Sequence, residues 1–305
     1  MSVLVVDNVV KRFGDFTAVD HVSFQVEKGT IHGILGPNGA GKTTTIRMIN
    51  NILEPDEGEI LIFGEKIRAD HQNRMSYLPE ERGLYKKIKV LDQLIYFGQL
   101  KGLKKADASK RAKYWLERFN AVDWAGKKIQ ELSKGMQQKV QFISTILNDP
   151  ELLILDEPFS GFDPINTEAL KETILDLKDR GITIMLSTHV MHQVEQMCDT
   201  ICLIDKGKKV LDGSVREIKK ARGRNTILLE FEGEREFLKE LQGIEFINKS
   251  KNRAEFKIID PQLNANELLR HINDKTEIIR YELMEPSINE IFIDVVENGE
   301  AQDGK

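Results

Sequence analysis

A glycine-rich segment near the N-terminus has the residues and the spacing needed to hold a phosphate group. It reads Gly-Pro-Asn-Gly-Ala-Gly-Lys-Thr from Gly36 to Thr43, so a glycine and four further residues precede Gly-Lys-Thr. Glycines let the backbone curl until several N–H groups point at one phosphate. Lys42 would place a positive charge beside the β- and γ-phosphates of a nucleotide, and Thr43 a hydroxyl beside Mg²⁺. The segment therefore predicts a nucleotide-binding site.

The elements on either side must position this segment at the end of a sheet. Residues 29–35 predict a turn and a buried strand, and residues 43–51 predict a helix whose N-terminus adds positive potential. A loop between a strand and a helix is the setting that the motif requires. The nucleotide-binding candidates are Gly36, Pro37, Asn38, Gly39, Ala40, Gly41, Lys42, Thr43 and Thr44. Lys42 is also a catalytic candidate.

A second chemical feature follows an apolar run further along the chain. Leu152–Leu155 consists of four aliphatic residues, and Asp156, Glu157 and Pro158 come next. Such a run predicts a strand buried on both faces of a parallel sheet, and ligands bind beyond the carboxyl ends of the strands in such sheets. We expect Asp156 to hold Mg²⁺, directly or through a water, and Glu157 to polarise the attacking water.

Between these two features, the chain resembles the ATP-binding-cassette (ABC) ATPases, the engine subunits of ABC transporters. Leu132–Val140 reads Leu-Ser-Lys-Gly-Met-Gln-Gln-Lys-Val, where the hallmark of the family reads Leu-Ser-Gly-Gly-Gln. The leucine, Ser133 and Gly135 match, whereas Lys134 and Met136 depart from it. The resemblance implies that Ser133 and the backbone near Gly135 contact the γ-phosphate at a helix N-terminus. Ser133 also fits the N-cap of a predicted helix.

Three further residues acquire a role from the same resemblance. Phe13 falls where the family places an aromatic ring against adenine, although Phe16 is a rival and packing within the N-terminal β-structure is an alternative. Asp163 is the acid of a loop that crosses to the partner subunit in the family. His189 follows a strand predicted at 183–186 and resembles the histidine that senses the γ-phosphate, which makes it a catalytic candidate.

An acidic residue stands at the place of the family's glutamine loop. Tyr77–Tyr85 lies there, and Glu80 replaces the expected glutamine. A carboxylate can ligate Mg²⁺, but it cannot donate an amide hydrogen bond to the attacking water. The candidate metal ligands are therefore Thr43, Glu80 and Asp156, and the expected cofactors are ATP and Mg²⁺.

Composition limits the class of protein. The chain has 305 residues, 40% of them hydrophobic, and a formal net charge of −5. That charge argues against direct binding of nucleic acid, and no apolar run approaches the ~20 residues of a membrane helix. The absence of a charged-then-apolar leader predicts a cytoplasmic location. Cys198 and Cys202 have no further cysteine partners for a zinc site, and we expect both to be reduced.

Most of the chain is predicted to form one α/β domain. Residues 1–222 would contain the core of a P-loop NTPase of the ABC type, which is RecA-like, with an antiparallel β part at the N-terminus. The helical periodicity over about 90–148 predicts a helical arm that carries Ser133.

The remaining residues are predicted to form a small α+β domain over 223–297. Gly223–Lys305 contains 18 acidic and 11 basic residues, whereas the preceding chain is nearly balanced. Helices are predicted at 235–241 and 287–296, and a frayed polar tail at 298–305. A similar appendage follows the ATPase in bacterial exporters of the drug, antibiotic and sodium type, which implies a packing, dimerisation or regulatory role.

The resemblance implies a cytosolic ATPase subunit that drives an ABC-type exporter. In the family, ATP bridges the lysine of one copy, here Lys42, and the serine of the other, here Ser133, so that binding closes a dimer. The expected partners are an integral membrane permease and a second ABC ATPase, either identical or a paralogue, with the chain peripheral to the inner face of the membrane. The junction of the helical arm with the Glu80 loop would receive a cytoplasmic helix of the permease. Its rim candidates are Tyr85, Lys86, Lys87 and Ile88.

Three other classes stay open as alternatives: a soluble ABC ATPase acting on ribosomes or DNA, a regulatory GTPase, and a scaffold that binds ATP without turnover. Ribosome-acting relatives carry two cassettes, DNA-repair relatives a long coiled coil, and GTPases an Asn-Lys-x-Asp element, and the sequence contains none of these. Glu157 and His189 argue against a scaffold. The sequence does not identify the transported substrate, and only the appended domain favours export over import.

Overall fold

The chain folds into two compact units, Met1–Ser214 and Val215–Lys305. The computed structural model describes residues 2–81, 83–223 and 225–303. The sequence places the boundary after residue 222, whereas the structure places it before Val215. The reason is a helix at Val215–Ala221, which packs against the last helix of the chain and so belongs to the second unit.

The first unit is a mixture of strands and helices. Its strands, in chain order, are β1 (Ser2–Phe13), β2 (Phe16–Glu27), β3 (Ile31–Leu35), β4 (Glu57–Ile62), β5 (Glu65–Lys66), β6 (Met75–Leu78), β7 (Leu152–Asp156), β8 (Thr183–Thr188), β9 (Thr200–Asp205) and β10 (Lys208–Ser214). Its α-helices are α1 (Lys42–Ile49), α2 (Val90–Leu100), α3 (Lys105–Arg118), α4 (Lys134–Ile146), α5 (Pro164–Asp179) and α6 (Met191–Met197).

A six-stranded sheet forms the centre of this unit. Its order is β10-β9-β3-β8-β7-β6, and all neighbours are parallel except β10, which runs antiparallel to β9. Every residue of β3, β7 and β8 is buried, as the aliphatic runs in the sequence predict. Because these three strands are parallel neighbours, the segments that follow them meet at one edge of the sheet. The predicted α/β class is confirmed.

A second sheet and a helical arm lie beside the central sheet in this unit. The sheet is antiparallel, with the order β2-β1-β4-β5, and its Val and Phe side chains share one core with α1 and the central sheet. The predicted helical arm consists of α2, α3 and α4, which contact one another. Aromatic contacts join Trp115 and Phe119 to the fully buried Phe142.

The second unit is an antiparallel sheet with helices. Its elements are α7 (Val215–Ala221), β11 (Thr226–Glu232), β12 (Ile244–Lys249), β13 (Arg253–Ile258), α8 (Ala265–Asn273), β14 (Glu277–Met284) and α9 (Ile288–Asp303). The strand order is β12-β13-β11-β14. Phe231 and Phe256 from the sheet pack with Leu268 and Ile272 of α8 in a separate core.

Two sequence predictions in this unit are wrong. The helix predicted at 235–241 is a short 3₁₀ helix at Glu236–Lys239, and glycines with positive φ, Gly233 and Gly243, turn the chain before and after it. The tail predicted to fray from residue 298 continues α9 to Asp303.

The structure also bears on membrane-spanning segments and on the two cysteines. No helix among the described residues is long and apolar enough to cross a membrane. Cys198, which follows α6, and Cys202, within β9, are both buried and free of a disulfide.

Candidate functional site

The phosphate-binding loop connects β3 to α1 and is shaped by the strands beside it. Gly36 has a φ of 146°, and a Cβ atom there would overlap the carbonyl oxygen of Ile204 in β9. Gly41 has a φ of 105°, and a Cβ atom there would overlap the carbonyl oxygen of Ala18 in β2. Since only glycine fits these two positions, the loop can lie directly against both strands.

Lys42 begins α1, and its side chain folds back over the loop. The residue is 6% exposed, and Nζ donates hydrogen bonds to the carbonyl oxygens of Gly36, at 2.7 Å, and Pro37, at 3.0 Å. Burial lowers the pKa of Lys42, and nearby carboxylates, that of Glu157 foremost, oppose the shift. The ammonium group is therefore held at the point where the loop can receive negative charge.

Asp156 ends β7 and is only 1% exposed. Neither of its carboxylate oxygens accepts a well-formed hydrogen bond from any residue that the structure describes. Burial raises the pKa of Asp156, although the hydroxyl groups of Ser187 and Thr43 act against this shift. A buried carboxylate without partners is costly unless a proton or a cation joins it. The oxygen groups of Asp156 and Thr43 therefore fit a hard cation such as Mg²⁺.

Glu157 and His189 follow neighbouring parallel strands and touch each other. One carboxylate oxygen of Glu157, Oε1, accepts a hydrogen bond from the backbone N–H of His189 at 3.0 Å and lies 2.7 Å from Nδ1 of the same residue. The other oxygen, Oε2, has a 3.4 Å contact with Oγ1 of Thr188. Glu157 also has a φ of 48°, a left-handed conformation that costs a non-glycine residue roughly 1–2 kcal/mol. The surroundings thus hold its carboxylate in one orientation.

These groups line one cleft of about 490 Å³ at the carboxyl edge of the central sheet. Among the predicted site residues, the cleft brings together Phe13, Asn38, Gly39, Gly41, Lys42, Thr43, Thr44, Glu80, Asp156, Glu157 and His189. Gly36, Pro37 and Ala40 belong to the phosphate-binding loop but do not line the cleft. A cleft that combines backbone N–H groups, a lysine and three carboxylates can bind a nucleotide with its metal ion and activate a water.

Three predicted nucleotide contacts lie outside this cleft. Ser133 is exposed and caps α4, where its Oγ accepts a hydrogen bond from the backbone N–H of Met136 at 3.3 Å. Gly135, on the first turn, lies against Gly161, with 3.8 Å between a Cβ atom built there and the carbonyl oxygen. Asp163 caps α5, and hydrogen bonds from Asn166 lower the pKa of its carboxyl group. One chain therefore does not bring these residues to the phosphate loop.

The cleft also contains residues that the sequence did not assign to it. Phe16 lies opposite Phe13 in the β1–β2 hairpin, and both rings are exposed, by 63% and 50%. Phe16 could be found as the rival aromatic next to the hairpin turn. Ala18 and Ser160 also line the cleft, and no sequence signal identifies Ala18, whose place follows from the close approach of β2 to the loop.

A second cavity of about 440 Å³ lies between the helical arm and the central sheet. Apolar side chains at its wall include Leu84, Phe97 and Leu100, of which Leu100 is 60% exposed. Of the four predicted rim residues, Tyr85 stacks on the lining residue Phe97 with 6.1 Å between ring centroids and is half-exposed. Lys86, Lys87 and Ile88 do not line the cavity. This groove is apolar enough to accept a side of a helix from another protein.

Family models match both units. Residues 19–160 match the model described as ABC transporter. Residues 213–296 match the model described as the C-terminal domain of the ATP-binding protein DrrA1-3-like type.

Relatives match nearly the whole chain or about two thirds of it. The uncharacterized ABC transporter ATP-binding protein YhaQ of Bacillus subtilis is 44% identical over 96% of this chain and 98% of its own length. The Nod factor export ATP-binding protein I of Burkholderia lata is 39% identical over 68% of this chain and 69% of its own. A solved structure described as an ATP binding subunit of an ABC transporter is 31% identical, with a TM-score of 0.68 over 73% of this chain and 94% of that one.

Proposed function

Because this chain belongs to the family of ABC transporter ATP-binding proteins, whose members hydrolyse ATP, we propose that it powers an exporter by pairing with a second ATPase subunit around ATP. One observation carries the proposal. The cleft contains Lys42, Glu157 and His189, whereas Ser133 lies exposed on a different element outside it. A single chain therefore carries two separate parts of the proposed site, and a second copy would bring its own Ser133 to the cleft of the first.

Within the cleft, each residue has a chemical task. The loop N–H groups and Lys42 bind the phosphates, since they concentrate positive charge where the γ-phosphate must lie. Glu157 orients and polarises the attacking water with Oε2, because Oε1 is engaged by His189. The ring of His189 is half-exposed toward the cleft, so it can both hold Glu157 and contact the γ-phosphate.

The metal site belongs to the same proposal. Thr43, Asp156 and Glu80 would hold Mg²⁺, and the ion would neutralise charge on the phosphates when bound. Asp156 supports this role best, because its buried oxygens accept no well-formed hydrogen bond from the described residues. Glu80 lines the cleft with them and replaces the amide expected there by a carboxylate.

The second half of the site would come from the partner ATPase. Ser133 and the first turn of α4 present a hydroxyl and a helix N-terminus to solvent. A γ-phosphate bound at Lys42 of one chain would accept hydrogen bonds from Ser133 and Gly135 of the other, while Asp163 lies on the loop beside them. ATP binding would close this dimer, and loss of the γ-phosphate contact on hydrolysis would let it open.

An integral membrane permease is the proposed partner of the groove beside Leu100, which would hold the chain on the cytoplasmic face of the membrane. Export is supported by relatives named as Nod factor export ATP-binding proteins and by the match of residues 213–296 to a DrrA-like domain. The permease partner would carry the specificity for the transported substrate.

A pair of matched variants tests the permease contact. Leu100→Asp puts a charge into the groove, whereas Val122→Asp puts one at another exposed apolar position of the helical arm, which is 56% exposed and does not line the groove. We expect Leu100→Asp to abolish co-purification of the tagged chain with an integral membrane protein and to leave ATP binding intact. Val122→Asp should change neither. Equal recovery of the membrane partner with both variants would contradict the assignment of the groove.

A further inference from the structure

A buried glutamine of helix α4 forms hydrogen bonds with the segment that carries Glu80. Gln141 is 4% exposed, and its Nε2 donates hydrogen bonds to the carbonyl oxygen of Pro79, at 3.2 Å, and to that of Glu81, at 3.1 Å. These two carbonyls flank Glu80 on both sides. One side chain therefore fixes the backbone from which the Glu80 carboxylate projects into the cleft.

The orientation of the Gln141 amide follows from its neighbours. Both groups that it faces are carbonyl acceptors, so the nitrogen must point toward them. Its oxygen is buried and accepts no hydrogen bond within the described part of the chain. An unpaired buried acceptor is unfavourable, so packing alone does not account for a glutamine here. The two donated hydrogen bonds are what the side chain contributes.

Gln141 also lies on helix α4, which begins at Ser133, the exposed residue proposed to contact the γ-phosphate. Ser133 caps α4, and Gln141 lies two turns further along the same rigid element. A displacement of α4 when a partner's nucleotide engages Ser133 is therefore transmitted to the carbonyls around Glu80. We infer that Gln141 is a positioning residue, which holds Glu80 for metal–nucleotide binding and links its place to that of Ser133. This inference rests on the proposed metal role of Glu80.

The test compares two glutamines of the same helix. Gln141→Met keeps the length of the side chain and removes both donors. Gln137→Met is the matched control, because Nε2 of Gln137 also donates to two carbonyl oxygens, those of Ile129 at 3.2 Å and Leu132 at 2.9 Å, neither of which flanks Glu80. Gln141→Leu, which also removes both donors and adds no charge, serves as a second variant if Gln141→Met does not fold.

Two readouts that do not depend on turnover decide the outcome. Hydrogen exchange of the Tyr85 amide, which donates to Oε1 of Gln93 at 3.0 Å, should become about tenfold faster in Gln141→Met, because the segment before it loses its two anchoring hydrogen bonds. It should stay at the wild-type rate in Gln137→Met. The Mg²⁺ concentration that half-saturates the thermal stabilisation by ATP should rise several-fold in Gln141→Met alone.

Unchanged exchange in Gln141→Met, or faster exchange without a higher Mg²⁺ requirement, would overturn the inference. Glu80→Gln separates this failure from that of the proposed function. If Glu80→Gln has the wild-type Mg²⁺ requirement, then the metal role of Glu80 is wrong, and the positioning role of Gln141 falls with it. If Glu80→Gln raises the requirement and Gln141→Met does not, only the role of Gln141 is wrong.

Discussion

At the scale of single residues, the candidate site owes its chemistry to burial and to strain. Asp156 is buried without a hydrogen-bond partner among the described residues, which prepares its oxygens for a cation. Glu157 adopts a left-handed backbone conformation that aims its carboxylate at His189. Strained residues of this kind persist when the surrounding structure holds them, here through the hydrogen bond from the Glu157 N–H to the carbonyl oxygen of Ser187 at 3.0 Å.

Replacement of Glu157 by glutamine should stop turnover and preserve nucleotide binding. The change keeps the size of the side chain and leaves Asp156 intact, but an amide cannot accept the proton of the attacking water. With hydrolysis blocked, the ATP-bound dimer should accumulate. Gel filtration with Mg-ATP measures the dimer, and a hydrolysis rate equal to that of the wild type would remove Glu157 from its assigned role.

The two aromatic rings of the cleft make separable predictions. Phe13→Ala should weaken ATP affinity by about tenfold with little loss of fold, because the ring is half-exposed and base–aromatic stacking is worth roughly 1–3 kcal/mol. Phe16→Ala is the matched control from the same hairpin. Titration with a fluorescent ATP analogue gives both affinities. A loss confined to Phe16→Ala would transfer the stacking role to that residue.

At the scale of elements, the strands that meet at the site carry both its geometry and its stability. The strands β3, β7 and β8 are parallel neighbours, so the phosphate loop, the two acids and His189 must emerge at one edge. β3 also contains His32, which is fully buried, stacks on Phe24 and pairs with Oγ1 of Thr200 at 2.8 Å.

His32 should make the first unit sensitive to acid. Burial lowers the pKa of His32 to about 3, far below its ordinary value of 6.5. The unfolded chain therefore binds a proton that the folded chain excludes, so stability is lost as the pH falls below about 6.5. Between pH 7 and pH 5, this group should contribute a loss of about 2 kcal/mol.

The free energy of unfolding in urea at the two pH values measures this loss. His32→Gln should reduce the difference by about that amount, whatever its effect on stability at pH 7. His192→Gln, at an exposed position of α6, is the control and should keep the wild-type difference. An equal pH dependence in all three proteins would show that His32 does not titrate between the folded and unfolded states.

At the scale of the whole molecule, the chain is half of the proposed catalytic unit. The cleft and the exposed N-terminus of α4 are two separate surfaces of the first unit. The proposed dimer requires that the second surface of one copy meet the first surface of another. This requirement distinguishes sharing of the site from an ordinary cap at Ser133.

Mixing two inactive variants tests this sharing. Lys42→Ala and Ser133→Arg homodimers should each be nearly inactive, because every site lacks one half. In a mixed dimer, one site carries both lesions, and the other has an intact Lys42 and an intact Ser133. Mixing should restore ATPase activity up to about one working site per mixed dimer, if the two sites act independently.

If the mixture stays inactive although subunit exchange occurs, either Ser133 is only a helix cap or the two sites cannot turn over singly. The Ser133→Arg homodimer separates these two explanations. If Ser133 were only a helix cap, its replacement should cost about 1 kcal/mol of stability and leave ATP-driven dimerisation intact. Loss of ATP-driven dimerisation at unchanged ATP affinity would instead show that the two sites cannot turn over singly.

The sequence determined the family, the α/β class and the candidate residues for chemistry, because these depend on local order. A glycine loop between a strand and a helix, or two acids after four aliphatic residues, can be recognised from about ten consecutive residues. Errors arose where the local signal is weak. The helix predicted at 235–241 is a 3₁₀ helix, and residues 298–303 are helical, because local propensity is a weak guide to such short segments.

Tertiary structure alone decided how these residues meet. Several contacts join segments that are far apart in the chain. They are the approach of Ala18 and Ile204 to the loop, the contact of His189 with Glu157, and the hydrogen bonds from Gln141 to the carbonyls on either side of Glu80. Residue types do not encode such contacts, since they arise from strand order and helix packing. The exclusion of Ser133 from the cleft has the same cause, because α4 belongs to the helical arm and the phosphate loop to the central sheet.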